Sequence, residues 1–299
     1  MSRVKELVQY LQQQELPTEN DYLSKSKKFT VLMSTYKNDE TDFFEVALKS
    51  VIHNTVVPNE ILIMVDGPVH RSMDHLLDRF KNHYPTVIKI FRQKNNIGRG
   101  LIAAKGVEFS SNELIARMDA DDISELDRFE KQISILEQNE QVDIIGGQIS
   151  EFNENLNLTT RRLVPTDHEE IVKFSRMRSP LNQPTVIFKK ASVLSVGNYD
   201  NLTVLEDYDL WMRMIGDGMI FQNINTDLTY MRAPKNMYQR RGGVQYLRKY
   251  VTFRKSLLIR HLISNSDYVK SIIGMAVSAV IPTTFRKKFY SIFLRKDYE

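Results

Sequence analysis

Four short apolar runs constrain this chain most. Residues 29–33, 60–65, 87–91 and 114–118 each read as a buried strand, and a helical pattern follows each one. Strand and helix alternating at this spacing predict a doubly wound α/β fold, a mostly parallel sheet with helices on both faces. The runs end in polar residues: Thr35 and Tyr36 after the first, Asp66 after the second, Asp119 and Asp121 after the fourth. Ends of parallel strands share one rim, and ligands of open α/β sheets bind there.

The fourth run empties into Asp119-Ala120-Asp121-Asp122. An extended backbone would point Asp119 and Asp121 to one side and Asp122 to the other. Two hard oxygen ligands on one side suit Mn²⁺ or Mg²⁺ carrying phosphate oxygens. Acids after a strand also serve as solvated loops or helix caps. Here the cap is expected from Ser124 with Asp127 three residues on, ahead of Leu126, Phe129, Ile133 and Leu136 at helical spacing. A nucleotide suits this rim: Tyr36 to stack on a base, Asp66 to accept from base or ribose, and the Asp pair to hold metal and diphosphate. Asn96 and Gly98 open the next helix. The glycines at 98 and 100 are no dinucleotide fingerprint, because Ala103 stands where the third glycine belongs and the segment follows the third strand. Close approach of backbone to the nucleotide is their expected use.

Beyond residue 122 the alternation loosens. Residues 142–145, 148–152 and 185–188 read as short strands, with Arg161-Arg162 in a hairpin. Residues 206–209 place three acids at a helix start, where the dipole favours them. The chain's one tryptophan, Trp211, lies within a turn of them. A Trp face beside a carboxylate suits a sugar, and a carboxylate desolvated by it suits a general base.

There is no cysteine, which excludes disulfides and thiolate chemistry and fits a reducing compartment. The N-terminal pattern Val4, Leu7, Val8, Leu11 reads as a short amphipathic helix rather than a signal peptide. The net charge of +4 is unevenly spread: residues 232–299 hold 15 Lys or Arg against 3 Asp or Glu, so the rest of the chain is net acidic. That basic tail alternates with Leu, Ile, Tyr and Phe, the pattern of helices lying on an anionic membrane surface. Its longest apolar run, 272–281, is too short to span a bilayer.

Together these pieces resemble a bacterial family 2 glycosyltransferase of GT-A fold, in the branch of O-antigen and capsule transferases. The segments that carry the resemblance are 30–36, Val65-Asp66-Gly67, 95–98, 118–122, 184–188 and 206–211, in the family's order. The resemblance implies a nucleotide-sugar half at 29–122 and an acceptor half at 123–232, after a leading helix and linker at 1–28 and before a basic helical tail at 233–299. It implies Thr35, Tyr36, Asp66, Asn96, Gly98 and Asp119 on a UDP-sugar. Asp121, with Asp119, would hold Mn²⁺ or Mg²⁺. Asp207 would be the base and Glu206 its support or an acceptor contact. Trp211, Asp209 and Gln183 are expected on the acceptor side, and Arg240 and Arg241 on a diphosphate. Asp66 stands alone where the family commonly has two acids, and Gln183 stands where it often has histidine.

The expected reaction is inverting, metal-dependent transfer of one hexose, glucose or galactose, to an N-acetylhexosamine on undecaprenyl diphosphate. The expected place is the inner face of the bacterial cytoplasmic membrane. Gln239-Arg240-Arg241 lacks the tryptophan of processive synthases. No nucleic-acid partner is expected, and the oligomeric state is open. Two rivals compete. A nucleotidyltransferase needs a glycine-rich, lysine-bearing loop after the first strand, which residues 34–38 lack. A basic binding protein explains the tail and leaves both acid clusters unused.

Overall fold

The apolar runs become the parallel part of one mixed sheet, in a computed structural model that describes residues 2–202, 204–233, 243–280 and 296–297. Strands β1 (Ser26–Thr35), β2 (Val57–Asp66), β3 (Ile88–Gln93) and β4 (Leu114–Met118) pair in parallel, in the spatial order 4-1-2-3. Helices α3 (Thr41–Ile52), α4 (Arg71–His83) and α5 (Arg99–Phe109) connect them. Alternate strand residues face opposite layers, as the two-residue period requires. Val31, Met33, Ile61 and Ile63 pack with Phe44, Leu48, Leu77 and Phe80. Leu32, Leu62, Met64 and Ile115 pack with Ile102, Ala103 and Val107 of α5 on the other face.

The second half adds mixed pairing. Strand β6 (Val142–Phe152) is one continuous strand where two short ones were expected. It forms an antiparallel hairpin with β7 (Leu158–Arg162) and lies antiparallel to β8 (Ile187–Lys189), which also borders β4. The 183–185 segment is a 3-10 turn ahead of β8. A 13-residue strand, β9 (Ile220–Arg232), was not expected; it runs parallel to β6 and antiparallel to the two-residue β5 (Ile123–Ser124). The capping box at Ser124 does not form. Ser124 is buried in β5, its N–H donating to Ser50 Oγ at 3.0 Å. Helix α6 (Arg128–Gln138) begins after Asp127, which makes no side-chain cap bond. Two residues at 296–297 form β10, pairing with β7 at the sheet edge.

Helix α1 (Arg3–Gln13) seals the far side of β5 and β9, with Val4, Leu7, Val8 and Leu11 against Ile123, Phe152 and Tyr230. Arg3 donates two hydrogen bonds to Glu125. Helices α2 (Glu19–Leu23), α7 (His168–Ser175) and α8 (Lys190–Ser195) are shorter connectors.

Helix α9 (Glu206–Gly216) is covered on its outer side by α10 (Gly243–Ile259), the first arm of a hairpin completed by α11 (Asn265–Val280). Tyr208 and Met212 pack with Phe253, Leu257 and Ile263. Fully buried Arg254 donates to Tyr208 Oη at 3.1 Å and to the Arg176 carbonyl at 2.6 Å, and Arg260 donates to Asp209 at 3.1 Å. The apolar side of α10 therefore belongs to the protein core. For residues 243–259 this replaces the expected helix lying apolar side down on a membrane. No helix among the described residues is long and apolar enough to cross a membrane.

Arg254→Ala leaves the Arg176 carbonyl and Tyr208 hydroxyl without their buried donor. Urea unfolding is expected to show a loss of about 3 kcal/mol, against about 0.5 kcal/mol or less for exposed Arg248→Ala. Equal effects would mean that the hairpin does not depend on this anchor.

Candidate active site

Beyond β4 the chain turns at once, with Ala120 and Asp121 in the turn, so the extended geometry expected for Asp119 and Asp121 is replaced by a tight bend. Asp119 stays on the rim, its side chain 40 % exposed and Oδ1 4.0 Å from Arg117 Nη2. Partial burial pushes its pKa up, and Arg117 and Arg99 oppose the shift. Asp122 turns inward. Its Oδ1 accepts from the Arg232 N–H at 2.9 Å, while buried Oδ2 has no partner. Burial, then repulsion from Asp121 and Asp119, pushes its pKa well up.

Two features of this corner were not read from the sequence. Asp39, half-buried after β1, accepts from the Tyr36 N–H at 3.0 Å. Its pKa is pushed up to about 6, first by burial and further by Asp121 and Asp119, against the hydrogen bonds it accepts. The second feature is an arginine bed. Fully buried Arg128 donates to the Arg117 carbonyl at 2.9 Å and to Gln132 Oε1 at 3.0 Å. Burial pulls its pKa down to about 9, with Asp119 and Asp122 opposing. Buried Arg117 donates to the Leu32 carbonyl. Arg232 is stacked between Phe43 and Phe152, at 3.6 and 4.7 Å from the ring centroids, and donates to the Asp121 carbonyl at 3.3 Å.

On the neighbouring strand end, Thr35 is buried and Tyr36 is 37 % exposed, open to a ligand. Asp66 is committed to the protein. Its carboxylate accepts from the N–H of Ile97 at 2.7 Å, the N–H of Gly98 at 3.0 Å and Asn96 Nδ2 at 2.9 Å. Asp66 and Asn96 thus clasp the loop ahead of α5 before either meets a nucleotide. Gly98 has φ +92° with open space where a Cβ would stand. Gly100 serves a different approach from the one expected: a Cβ there would lie 2.2 Å from the Asp200 carbonyl oxygen, so α5 is pressed against the loop before α9.

That contact brings the start of α9 to the rim. Glu206 is buried, with Oε1 3.4 Å from Arg99 Nε and Oε2 without a partner. Burial, then Asp207, raises its pKa. Asp207 is half-buried and near enough to Asp119 for the two to repel. Buried Tyr199 lies in the same electrostatic neighbourhood as Arg117, Asp207, Glu206 and Asp119. Two expected acceptor residues are elsewhere. Trp211 is fully buried between Phe188 and Tyr199, and so offers no face to a sugar. Asp209 is fully buried between Arg213 Nε at 2.8 Å and Arg260 Nη1 at 3.1 Å. The physical reason is that α9 lies between the sheet and α10, which leaves Asp207 as the half-open residue of its first turn. Gln183 is half-buried on the 3-10 turn beside β4 and β6. Arg240 and Arg241 lie outside the described residues.

Among the described residues no group of three or more ligating side chains closes on one point. That fits a cation taking one or two carboxylates and completing its shell with phosphate oxygens and water. The all-carboxylate donor set and the unpartnered Asp122 Oδ2 favour added positive charge here.

Residues 30–198 match the family model described as glycosyl transferase family 2. An uncharacterized glycosyltransferase of Haemophilus influenzae is 34% identical over 273 residues, 90% of this chain and 100% of its own. The UDP-Gal:α-D-GlcNAc-diphosphoundecaprenol β-1,3-galactosyltransferase of Escherichia coli is 33% identical over 270 residues, 90% of this chain and 97% of its own. Among solved structures, the mannosyltransferase PcManGT of Pyrobaculum calidifontis, in complex with GDP-Man and Mn²⁺, superposes with a TM-score of 0.59 at 12% identity, over 94% of this chain and 84% of that one. The likeness shows the GT-A fold.

Asp39 gives a pH signature. Its folded pKa lies above the ordinary 3.8, so its contribution to stability is full below that value and is lost as pH rises through about 6. Asp39→Asn removes this loss. In EDTA, urea unfolding is expected to shift in the variant's favour by about 2 kcal/mol between about pH 4 and about pH 7.5. A pH-independent difference would contradict the crowding.

Proposed function

This chain belongs to glycosyl transferase family 2, and we propose that it transfers one hexose from a UDP-sugar to an N-acetylhexosamine carried on a lipid diphosphate. Galactose is favoured over glucose. The observation that carries this reading is the match to the Escherichia coli galactosyltransferase over nearly the full length of both chains. The donor and acceptor in that protein's name are the substrates proposed here, in the synthesis of an O-antigen or capsule polysaccharide. The lipid-linked acceptor and the basic residues beyond 232 support work at the inner face of the bacterial cytoplasmic membrane.

The residues divide the reaction as follows. Tyr36 and Thr35 meet the nucleoside, and the loop held by Asp66 and Asn96 shapes its pocket. Asp121, assisted by Asp119, would hold Mn²⁺ or Mg²⁺, which would supply Lewis acidity at the diphosphate oxygens. Asp207 accepts the proton of the attacking acceptor hydroxyl. The hydroxyl oxygen forms a bond to the anomeric carbon as the bond from that carbon to phosphate breaks, releasing UDP with inversion. Glu206, beside Arg99, is assigned either the support of Asp207 or an acceptor contact. Gln183 remains an acceptor-side candidate, and Arg240 and Arg241 remain candidates for a diphosphate.

A screen of UDP-sugars against a water-soluble N-acetylglucosamine diphosphate acceptor, with and without Mn²⁺, tests this reading. UDP-galactose is expected to give product only with the cation. Asp207→Asn should lower turnover by about 100-fold or more while UDP still binds. Asp121→Ala should abolish the response to Mn²⁺. Turnover that persists in Asp207→Asn would remove that residue from the reaction.

A further inference from the structure

The hairpin of α10 and α11 has two unlike sides. Its inner side is fastened to the helix that carries Glu206 and Asp207, through Tyr250, Phe253, Arg254, Leu257 and Arg260. Its exposed residues are apolar along α11 and cationic on both helices. Val269, Ile273 and Val277 recur at four-residue spacing on α11 and are 52 %, 60 % and 51 % exposed. Such spacing draws one stripe along a helix. Gly274 has nothing within 4 Å of where a Cβ would stand, so the stripe is uncovered by described residues.

The charge around the stripe selects its partner. Residues 243–280 hold six Lys or Arg and one acid, Asp267. Asp267 is occupied at the turn, accepting from the Ser264 N–H and hydroxyl. Arg254 and Arg260 face inward, which leaves Arg248, Lys249, Lys255 and Lys270 exposed. A second copy of the same face would bring like charges together. So would residues 281–295 of this chain, which hold four more Lys or Arg and no acid.

We propose that the outer side of this hairpin docks on an anionic lipid bilayer, with Val269, Ile273 and Val277 entering the interface and Arg248, Lys249, Lys255 and Lys270 meeting lipid phosphates. This rests on the reading of the acceptor as lipid-linked, and narrows it to one face. Apolar entry and basic attraction act together at such surfaces. Because the same hairpin braces α9, docking sets the orientation of the sheet rim relative to the bilayer. Apolar entry into the bilayer comes from the second helix of the hairpin, because the apolar side of the first belongs to the core.

The test uses the full chain and the triple variant Val269→Ser, Ile273→Ser, Val277→Ser, with co-sedimentation on vesicles of phosphatidylcholine with or without phosphatidylglycerol at low salt. Wild type is expected to bind the anionic vesicles, to release with added salt, and to bind at least about tenfold better than the variant. The variant should retain wild-type turnover on the water-soluble acceptor, which separates this outcome from failure of the proposed reaction. The proposal is overturned if wild type ignores anionic vesicles or if the variant binds them equally. It is also overturned if the substitutions instead convert a dimer to a monomer without changing vesicle binding.

Discussion

Asp39, Asp119, Asp121 and Asp122 repel one another across the rim of the sheet, and much of the surrounding structure compensates for it. Burial is the first cause of the raised pKa values of Asp39, Asp119 and Asp122, and repulsion adds to it, from Asp121 and Asp119 at Asp39 and Asp122 and from Asp207 at Asp119. The arginines beneath them keep the corner foldable. Arg128 and Arg117 brace the end of β4 from inside, and Arg232 closes the turn from β9. None of these arginines fully neutralises the cluster. A divalent cation with a nucleoside diphosphate is the ligand that such residual charge favours.

The same device recurs at α9. A helix with three acids in its first turn has to be held against the sheet, and arginines hold it, one of its own and three from distant parts of the chain. Arg99 of α5 meets Glu206, Arg213 and Arg260 share Asp209, and Arg254 fixes Tyr208. Asp207 alone among these acids stays half-open and facing the rim. The clasp of Asp66 on residues 96–98 holds the loop ahead of α5, and the close contact of Gly100 with Asp200 sets α5 against the loop before α9. Packing beneath the rim thus sets the positions of the residues on it.

What the sequence revealed follows from the range of each signal. Apolar runs, and the polar residues that end them, are local, so β1 to β4 and the acids at the end of β4 were legible, whereas the bend at Ala120 and Asp121 was not. Strand β9 was not, because its buried residues are interleaved irregularly with polar ones such as Gln222, Asn223 and Asp227. Trp211 and Asp209 misled for a related reason. Beside acids they look like a sugar site, and only the arrival of α10, some 30 residues on, shows that the helix is covered. The Arg213 partner at i+4 was the one local hint for Asp209. Asp39 sat four residues past a strand end that was already recognised, but its neighbours Asp119 and Asp121 are distant in sequence.

The most direct test of the account is anomalous scattering from a crystal grown with Mn²⁺ and UDP. One strong peak is expected between the Asp121 carboxylate and the UDP phosphates, with Tyr36 against the base. Ordered UDP with no peak there, or a peak held by other side chains, would contradict the reading of this rim as the metal and diphosphate site.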